Sequence, residues 1–442
     1  MEAWALVMFA VVFVLLLFGY PVAFTLGAVS MLFGGVFLGM DFLNLLPMRI
    51  WGIMTNFTLL AVPLFVFMGV MLEKSGIAEE LLETMGTLFG RVRGGLAVSI
   101  VVVGAMLAAT TGVVGATVVT MGIIALPAFL KHQYSPELAT GTIAASGTLG
   151  QIIPPSIILI LLGDVIGVPV GQLFMGAVTP GVLLIVLFIL YILIIAGMKP
   201  EIAPAIDASM LGIDDGKGLT TRVFKSLFPP LLLVVAVLGS IFFGVASPTE
   251  SAAVGALGAM LLALIHRRLK LESLQDTMQQ TTRLTSMVFM ILIGATALGL
   301  VFRGMGGDVM VEDIMMELPG EEWGFLVVSM SLIFVLGFFL DFLEICFIVV
   351  PILAPIAELM DINLLWFAVL IAMNLQTSFL TPPFGFSLFY LKAAAPPEIR
   401  ISHIYKGIIP FVMIQVIALG LLVVFPQVVT WLPDMMDEMM GF

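Results

Sequence analysis

Apolar runs about twenty residues long recur from residue 4 to residue 425. A hydrocarbon core about 30 Å thick takes roughly 20 such residues for each helical crossing, so a chain patterned in this way folds in a bilayer. About ten to thirteen membrane segments are expected, a range left open because some runs are only half-length. Composition agrees. Of 442 residues, 61% are hydrophobic and only 10% charged, more apolar surface than a soluble core can absorb. The first run, "AWALVMFAVVFVLLLFG", follows Met1-Glu2 without a basic segment or a small-residue cleavage site, and reads as a retained helix. The expected fold class is an all-α polytopic membrane protein.

Bases cluster at Arg91/Arg93, at Lys217/Arg222/Lys225 and at Arg267/Arg268/Lys270, which places those loops on the cytoplasmic side. The ends, "MEAWA" and "WLPDMMDEMMGF", are acidic and without bases, so both termini are expected outside, in the periplasm if the membrane is a bacterial inner membrane. The formal charge of −12 does not bear on this, because topology follows Lys and Arg rather than net charge. Cys346 is the sole cysteine, which leaves no internal disulfide and no cysteine metal site. His132, His266 and His403 stand singly, without ligand spacing. An intramembrane enzyme would need a Ser/His, paired-Asp or metal constellation at depth, and no His lies in an apolar span. The chain is therefore expected not to be an enzyme, with neither an organic cofactor nor a nucleic-acid partner.

Two stretches deep in apolar sequence contain a proline pair: "ASGTLGQIIPPSI", ending at Ile157, and "MNLQTSFLTPPFG", ending at Gly385. Proline lacks a backbone donor and clashes with the preceding turn, so each pair should break a helix. A shift of 228 residues carries Pro154 and Pro155 onto Pro382 and Pro383, Pro127 onto Pro355, Ser146 onto Asn374 and Gly150 onto Ser378. The order of elements is also shared: an apolar arm, a polar tip, a second arm ending at proline, then a broken helix. Between the halves, "MKPEIAPAIDASMLGIDDGKGLTTRVFK" reads as an extramembrane linker. Broken backbone in lipid leaves N–H and C=O groups unpaired at several kcal/mol each, so it persists where it lines a cavity or binds something. Two halves with corresponding breaks are the sequence pointer to a secondary transporter. There, freed carbonyls bind Na⁺ and half-helix N-termini face an anion.

The first tip, "AATTGVVGATVV", offers the hydroxyls of Thr110, Thr111 and Thr117, with Gly112 and Gly115 allowing close backbone approach. The same small residues also suit a helix-packing interface. The second, "LGFFLDFLEICF", carries Asp341 and Glu344 in an otherwise apolar run. A charge at that depth costs at least ~2.5 kcal/mol and marks a functional site unless it lies in a solvated turn. Asp164 reads as the surface end of a helix, and Arg303, Asp308 and Glu312 in "FRGMGGDVMVED" as a solvated loop.

These motifs resemble the large membrane subunit (M, or DctM-like) of the tripartite ATP-independent periplasmic (TRAP) transporters. The resemblance extends over essentially the whole chain. It is most specific in "YSPELATGTIAASGTLGQIIPPSIILILLGDVIGVPVGQLFMGAVTPG" and in "GFFLDFLEICFIVVPILAPIAE…NLQTSFLTPPFGFSLF". The family implies an inverted-repeat elevator-type transporter with two re-entrant helical hairpins and two broken helices. Scaffold helices are then expected over 1–95 and 226–320, and transport-domain halves over 96–197 and 321–400. A polar linker over 198–225 and a C-terminal helix with an acidic tail over 401–442 complete the division. It further implies two partners, a small four-helix membrane subunit (Q type) and a periplasmic substrate-binding protein (P type), with coupling to Na⁺ at two or more sites rather than to ATP.

Carried onto this sequence, the resemblance implies a Na⁺ site of Gly337, Ser378, Thr381 and Phe384, and the 228-residue shift gives the companion set Ala109, Gly150, Ile153 and Ser156. Thr110, Thr111, Gly112, Ser146, Asn374 and Asp341 are the implied substrate-binding or gate positions. Many members carry Ser-Gly-Ser-Ser at the first tip, where this chain has Thr111-Gly112-Val113-Val114, so side-chain ligation there falls to Thr110 or Thr111. The implied cargo is a small organic acid anion: a 2-oxo acid, lactate or a C4-dicarboxylate. A self-sufficient Na⁺/carboxylate symporter of the same superfamily is the alternative that the sequence leaves open.

Overall fold

A computed structural model describes residues 1–111, 114–206 and 216–440, without side chains for residues 78, 79, 83, 108–111, 216–223, 225 and 440. The described residues are helical and contain no strand. The chain opens with α1 (Glu2–Leu17), α2 (Val22–Phe33), α3 (Leu46–Met54), α4 (Ala61–Lys74) and α5 (Ile77–Phe89). Next come α6 (Gly95–Thr111), α7 (Val114–Lys131), α8 (Pro136–Thr148), a 3₁₀ turn Leu149–Gln151, α9 (Ile157–Ile166) and α10 (Val170–Met198). The second half begins with α11 (Gly216–Phe242), α12 (Pro248–Ile265), α13 (Leu271–Gly304) and α14 (Gly307–Met316). It continues with α15 (Glu322–Leu336), α16 (Phe342–Glu344), a π turn Ile345–Val349, α17 (Val350–Leu359), α18 (Leu364–Leu380) and α19 (Phe386–Ala394), and closes with α20 (Ile401–Val424) and α21 (Gln427–Met440).

Among the described residues, six helices are long and apolar enough to cross a membrane, counting α16, the π turn and α17 as one (Phe342–Leu359), or seven if the bent pair Phe42–Met54 and Thr58–Lys74 forms one span. Shorter apolar helices such as α9 and α18 supply the half-length segments. Exposed Leu, Val, Ile and Phe side chains such as Leu232, Val254, Leu257 and Val327 give the outside a hydrocarbon-facing character that lipid or a membrane partner satisfies.

The repeat is visible element by element. Shifted by 228, α7 falls on Phe342–Leu359, and the start of α8 on that of α18. Even the caps correspond. Ser135 Oγ accepts the Leu138 N–H at 3.1 Å to start α8, and Asn363 Oδ1 accepts the Trp366 N–H at 3.0 Å to start α18. Each such cap contributes about 1 kcal/mol to its helix. Both helices then stop at the prolines: α8 and its 3₁₀ turn end before Pro154-Pro155, and α18 ends before Pro382-Pro383. Both Pro-Pro peptide bonds are cis.

Two expectations need correction. The hairpin arms do not end at proline: α7 runs past Pro127 to Lys131 and α17 past Pro355 to Leu359. Proline is tolerated inside such helices because neighbouring helices re-satisfy the freed carbonyl. Helix α11 begins at Gly216, and its apolar part is Ser226–Phe242. The supposed loop at residues 303–312 is helical as well. Arg303 lies in the last turn of α13, Gly306 turns the chain at φ +79°, and Asp308 and Glu312 sit on α14.

Packing relates the halves reciprocally. The second arm of the first hairpin, α7, lies on α19, and that of the second, α17, lies on α9. The two broken helices also touch, α8 against α18. Helix α8 meets α20 at Gly141 and Gly407, where an added Cβ on either residue would strike backbone of the other helix. Small residues permit that approach, which matters where no hydrophobic force drives helix against helix. Around this centre, α4 packs on α12 and α13, and α2 packs on α13.

Candidate functional site

Prolines 382 and 383 have no N–H, so the carbonyls of Ser378 and Phe379, four residues earlier, lose their helical donors. Prolines 154 and 155 do the same to Gly150 and Gln151. The breaks thus concentrate backbone oxygens at Gly150 and Ser378, two positions predicted to hold Na⁺. In the second half the Ser378 carbonyl accepts the Thr381 N–H at 3.1 Å, while Thr381 Oγ1 donates to the Thr377 carbonyl at 2.8 Å. In the first half, Ser156 Oγ reaches back across the break to the Gln151 carbonyl at 3.1 Å.

Each break lies against its own hairpin. At Gly337, where α15 ends, an added Cβ would collide with Ser378 Oγ. Phe339, at the tip, packs against Phe384 in the break with ring centroids 5.2 Å apart and planes tilted by 43°. Asn374 Nδ2 donates to the Met330 carbonyl on α15 at 2.7 Å, tying the broken helix to the first arm. Gly337, Ser378 and Phe384 are therefore brought together, with Thr381 in the same turn. In the first half, Ser146 packs against Gly104 on α6, and α6 lies on the 3₁₀ turn that holds Gly150. Ile153 and Ser156 follow in that break, where Ile153 abuts Gly181 of α10. Ala109, Thr110 and Thr111 lie at the end of α6 with undescribed side chains, and Gly112 lies outside the described residues.

Asp341 and Glu344 form a reciprocal cap. Asp341 Oδ1 accepts the Phe342 N–H at 2.8 Å, and Glu344 Oε2 accepts the Asp341 N–H at 3.1 Å, a capping box that starts the second arm. Both acids thus have a local structural role at the hairpin tip. The donor sets at the two breaks are backbone carbonyls and hydroxyls, hard neutral oxygens suited to Na⁺. Among the described residues, no cluster of His, Cys, Asp or Glu could hold a transition metal.

Two cavities flank this core. An apolar one of about 230 Å³ lies behind the first break, lined by Met106, Pro154, Val182 and Leu231. A larger, more polar cleft of about 690 Å³ lies between α3, α13 and α14 on one side and α9 and α17 on the other. There Asn56 Nδ2 donates to Asp164 Oδ1 at 2.6 Å. Asp164 lies in the last turn of α9, as expected of a helix end, but it lines this cleft and is held there by Asn56. The sequence reading missed this pair, and no signal could have revealed it, because its members are 108 residues apart.

A polytopic helical chain with paired hairpins and paired broken helices has the fold of a membrane transporter. A solved structure supports this: the crystal structure of the Alcanivorax borkumensis YdaH transporter matches with a TM-score of 0.62 at 13% identity, covering 95% of this chain and 99% of that one. The model for the tripartite ATP-independent periplasmic transporter DctM component matches residues 9–428, and the chain belongs to that family. It is 29% identical over 395 residues to the C4-dicarboxylate TRAP transporter large permease protein of Pseudomonas aeruginosa, covering 89% of this chain and 90% of that one. The sialic acid large permease of Vibrio cholerae is 28% identical, covering 95% and 96%. The ectoine large permease of Halomonas elongata is also 28% identical, covering 97% and 99%. The chain is a large permease subunit and not an enzyme.

Proposed function

We propose that this subunit imports small organic acid anions by Na⁺-coupled secondary transport across a bacterial inner membrane, with both termini in the periplasm. The observation that carries the reading is the junction in the second half, where Gly337 at the hairpin end lies against the Ser378 side chain just before a Pro-Pro break, a break that recurs in the first half at Pro154-Pro155. Na⁺ at the two junctions orders the tips and completes an anion site between them, near Ser146 and Asn374. Neutral oxygen ligands suit this task, since several buried carboxylates would repel the cargo.

Transport follows an elevator mechanism in which residues 96–197 and 321–400 move against a scaffold of 1–95 and 226–320. A periplasmic binding protein delivers the anion, and a small four-helix membrane subunit completes the assembly. Relatives named for C4-dicarboxylates, sialic acid and ectoine show that one scaffold is compatible with several cargoes. For this chain the preferred class is a 2-oxo acid, lactate or a C4-dicarboxylate.

The test is uptake in proteoliposomes containing this chain, with and without the small subunit and the binding protein, under an inward Na⁺ gradient and a panel of labelled carboxylates. Uptake requiring both partners and Na⁺ is expected. Uptake by the chain alone would replace the tripartite reading with that of a self-sufficient symporter.

A further inference from the structure

The apolar cavity behind the first break lies where two groups of helices meet. Helices α4, α5 and α11 form one wall, and α6, α10 and the break itself at Ile153 and Pro154 form the other. Val178, Val182 and Ile185 line it from α10, and Leu231, Val234 and Leu238 from α11. Within each set the residues stand three or four positions apart, so each helix turns one continuous stripe toward the cavity. Among the described residues, every side chain on the wall is apolar.

Burial places the mouth. Val182 and Leu231 are exposed, whereas Leu72 and Leu81, which line the cavity from α4 and α5, are buried. Helices α10 and α11 touch each other, and both carry further exposed apolar side chains, Leu190 on one and Leu232 on the other. The cavity therefore opens between α10 and α11, onto the surface that faces hydrocarbon.

Size and lining narrow the occupant. Apolar cavities of about 150 Å³ stay dry and take up small hydrocarbons, and this one holds about 230 Å³. Left empty, its walls would forfeit dispersion contacts with nothing in return. A helix, about 10 Å across with its side chains, cannot enter such a space. A lipid chain can, because it is slender, apolar and already present at the mouth.

We propose that one acyl chain of a membrane phospholipid enters between α10 and α11, fills this cavity and packs on Ile153 and Pro154, so that lipid forms part of the wall of the first break. This is independent of which solute the subunit carries and of how it moves.

The experiment uses the full chain in nanodiscs containing phosphatidylcholine with a diazirine near the end of one acyl chain, with and without the small subunit. After irradiation, adducts are mapped by peptide mass spectrometry. They are expected on Leu72 and Leu81, which lipid on the outer surface does not reach, as well as on exposed Val254 and Leu257 of α12. Val234→Phe places a ring in the cavity and should lower adducts on Leu72 and Leu81 at least fivefold, with those on α12 unchanged. Wild-type protein without adducts on Leu72 and Leu81 overturns the proposal, and so do adducts there that Val234→Phe leaves unchanged. Adducts that vanish when the small subunit is added also overturn it, because a partner side chain then fills the cavity. If Val234→Phe does not fold, Val178→Phe fills the same space from α10 and is read in the same way.

Discussion

Gly337 and Ser378 stand so close that a single added carbon on the glycine would strike the serine hydroxyl and come within 2.9 Å of its Cβ. The hairpin end and the broken helix are therefore fitted to each other at the place where cation ligands are proposed. The 228-residue shift puts Ala109 and Gly150 at the corresponding positions, so one repeat pairs Gly with Ser and the other Ala with Gly.

That exchange makes a prediction. Gly337→Ala should cut Na⁺-driven uptake at least tenfold, because the tip is forced off the break. Adding Ser378→Gly recreates the residue pair of the first repeat and should recover most of the loss. Half-saturation by Na⁺, measured in proteoliposomes, is the readout. A double variant no better than the single one would show that the serine acts through its oxygen rather than through space.

Asp341 combines a charge with a helix cap, and two substitutions separate them. Asn is as good an N-cap as Asp, so Asp341→Asn should leave the thermal midpoint unchanged, whereas Asp341→Ala should cost about 1 kcal/mol. If the charge contributes to gating, both variants lose uptake together. If only the cap counts, Asp341→Asn transports normally. Thermal unfolding in detergent, followed alongside uptake, distinguishes the two cases.

Much of this fold was legible because it is written in local chemistry repeated at one spacing. The proline pairs mark both breaks, and Ser135 and Asn363 begin both broken helices. Other features were obscured by rules that are sound locally. The glycines of "FRGMGGD" signal a loop, yet Gly306 only turns the chain between two helices. Pro127 and Pro355 read as helix ends, although surrounding helices let the arms continue. The cleft, with Arg303 turned along α13 and Asp164 held by Asn56, depends on long-range placement that no periodicity encodes.

The contact of α8 with α20 predicts strong positional sensitivity. A Cβ on Gly407 would overlap the Glu137 carbonyl oxygen, whereas one on Gly420 of the same helix meets nothing within 4 Å. Gly407→Val should therefore destabilise the protein by about 1–3 kcal/mol or more. Gly420→Ala should be neutral or slightly stabilising, since alanine is the better helix former. Comparing melting temperatures of the two variants in one detergent tests the packing directly.

Two hydrogen bonds connect α4 and the turn before it to the paired-repeat core, and both bear on the elevator proposal. Near the start of α4, Asn56 holds Asp164 of α9 at 2.6 Å; near its end, Glu73 Oε1 accepts from Thr120 Oγ1 of α7 at 3.0 Å. If α7 and α9 move against α4, both bonds must break. Each contributes to the stability of this arrangement and not of the other. Bonds to charged groups contribute about 1.5–3 kcal/mol each, so losing one shifts the balance between two states by roughly ten- to a hundredfold. Asn56→Ala and Thr120→Val should each populate a second distance between spin labels placed on α12 and α10, with the double variant shifting it further. Distance distributions that stay single in both variants would mean that α7 and α9 do not slide past α4, and a different moving unit would be required.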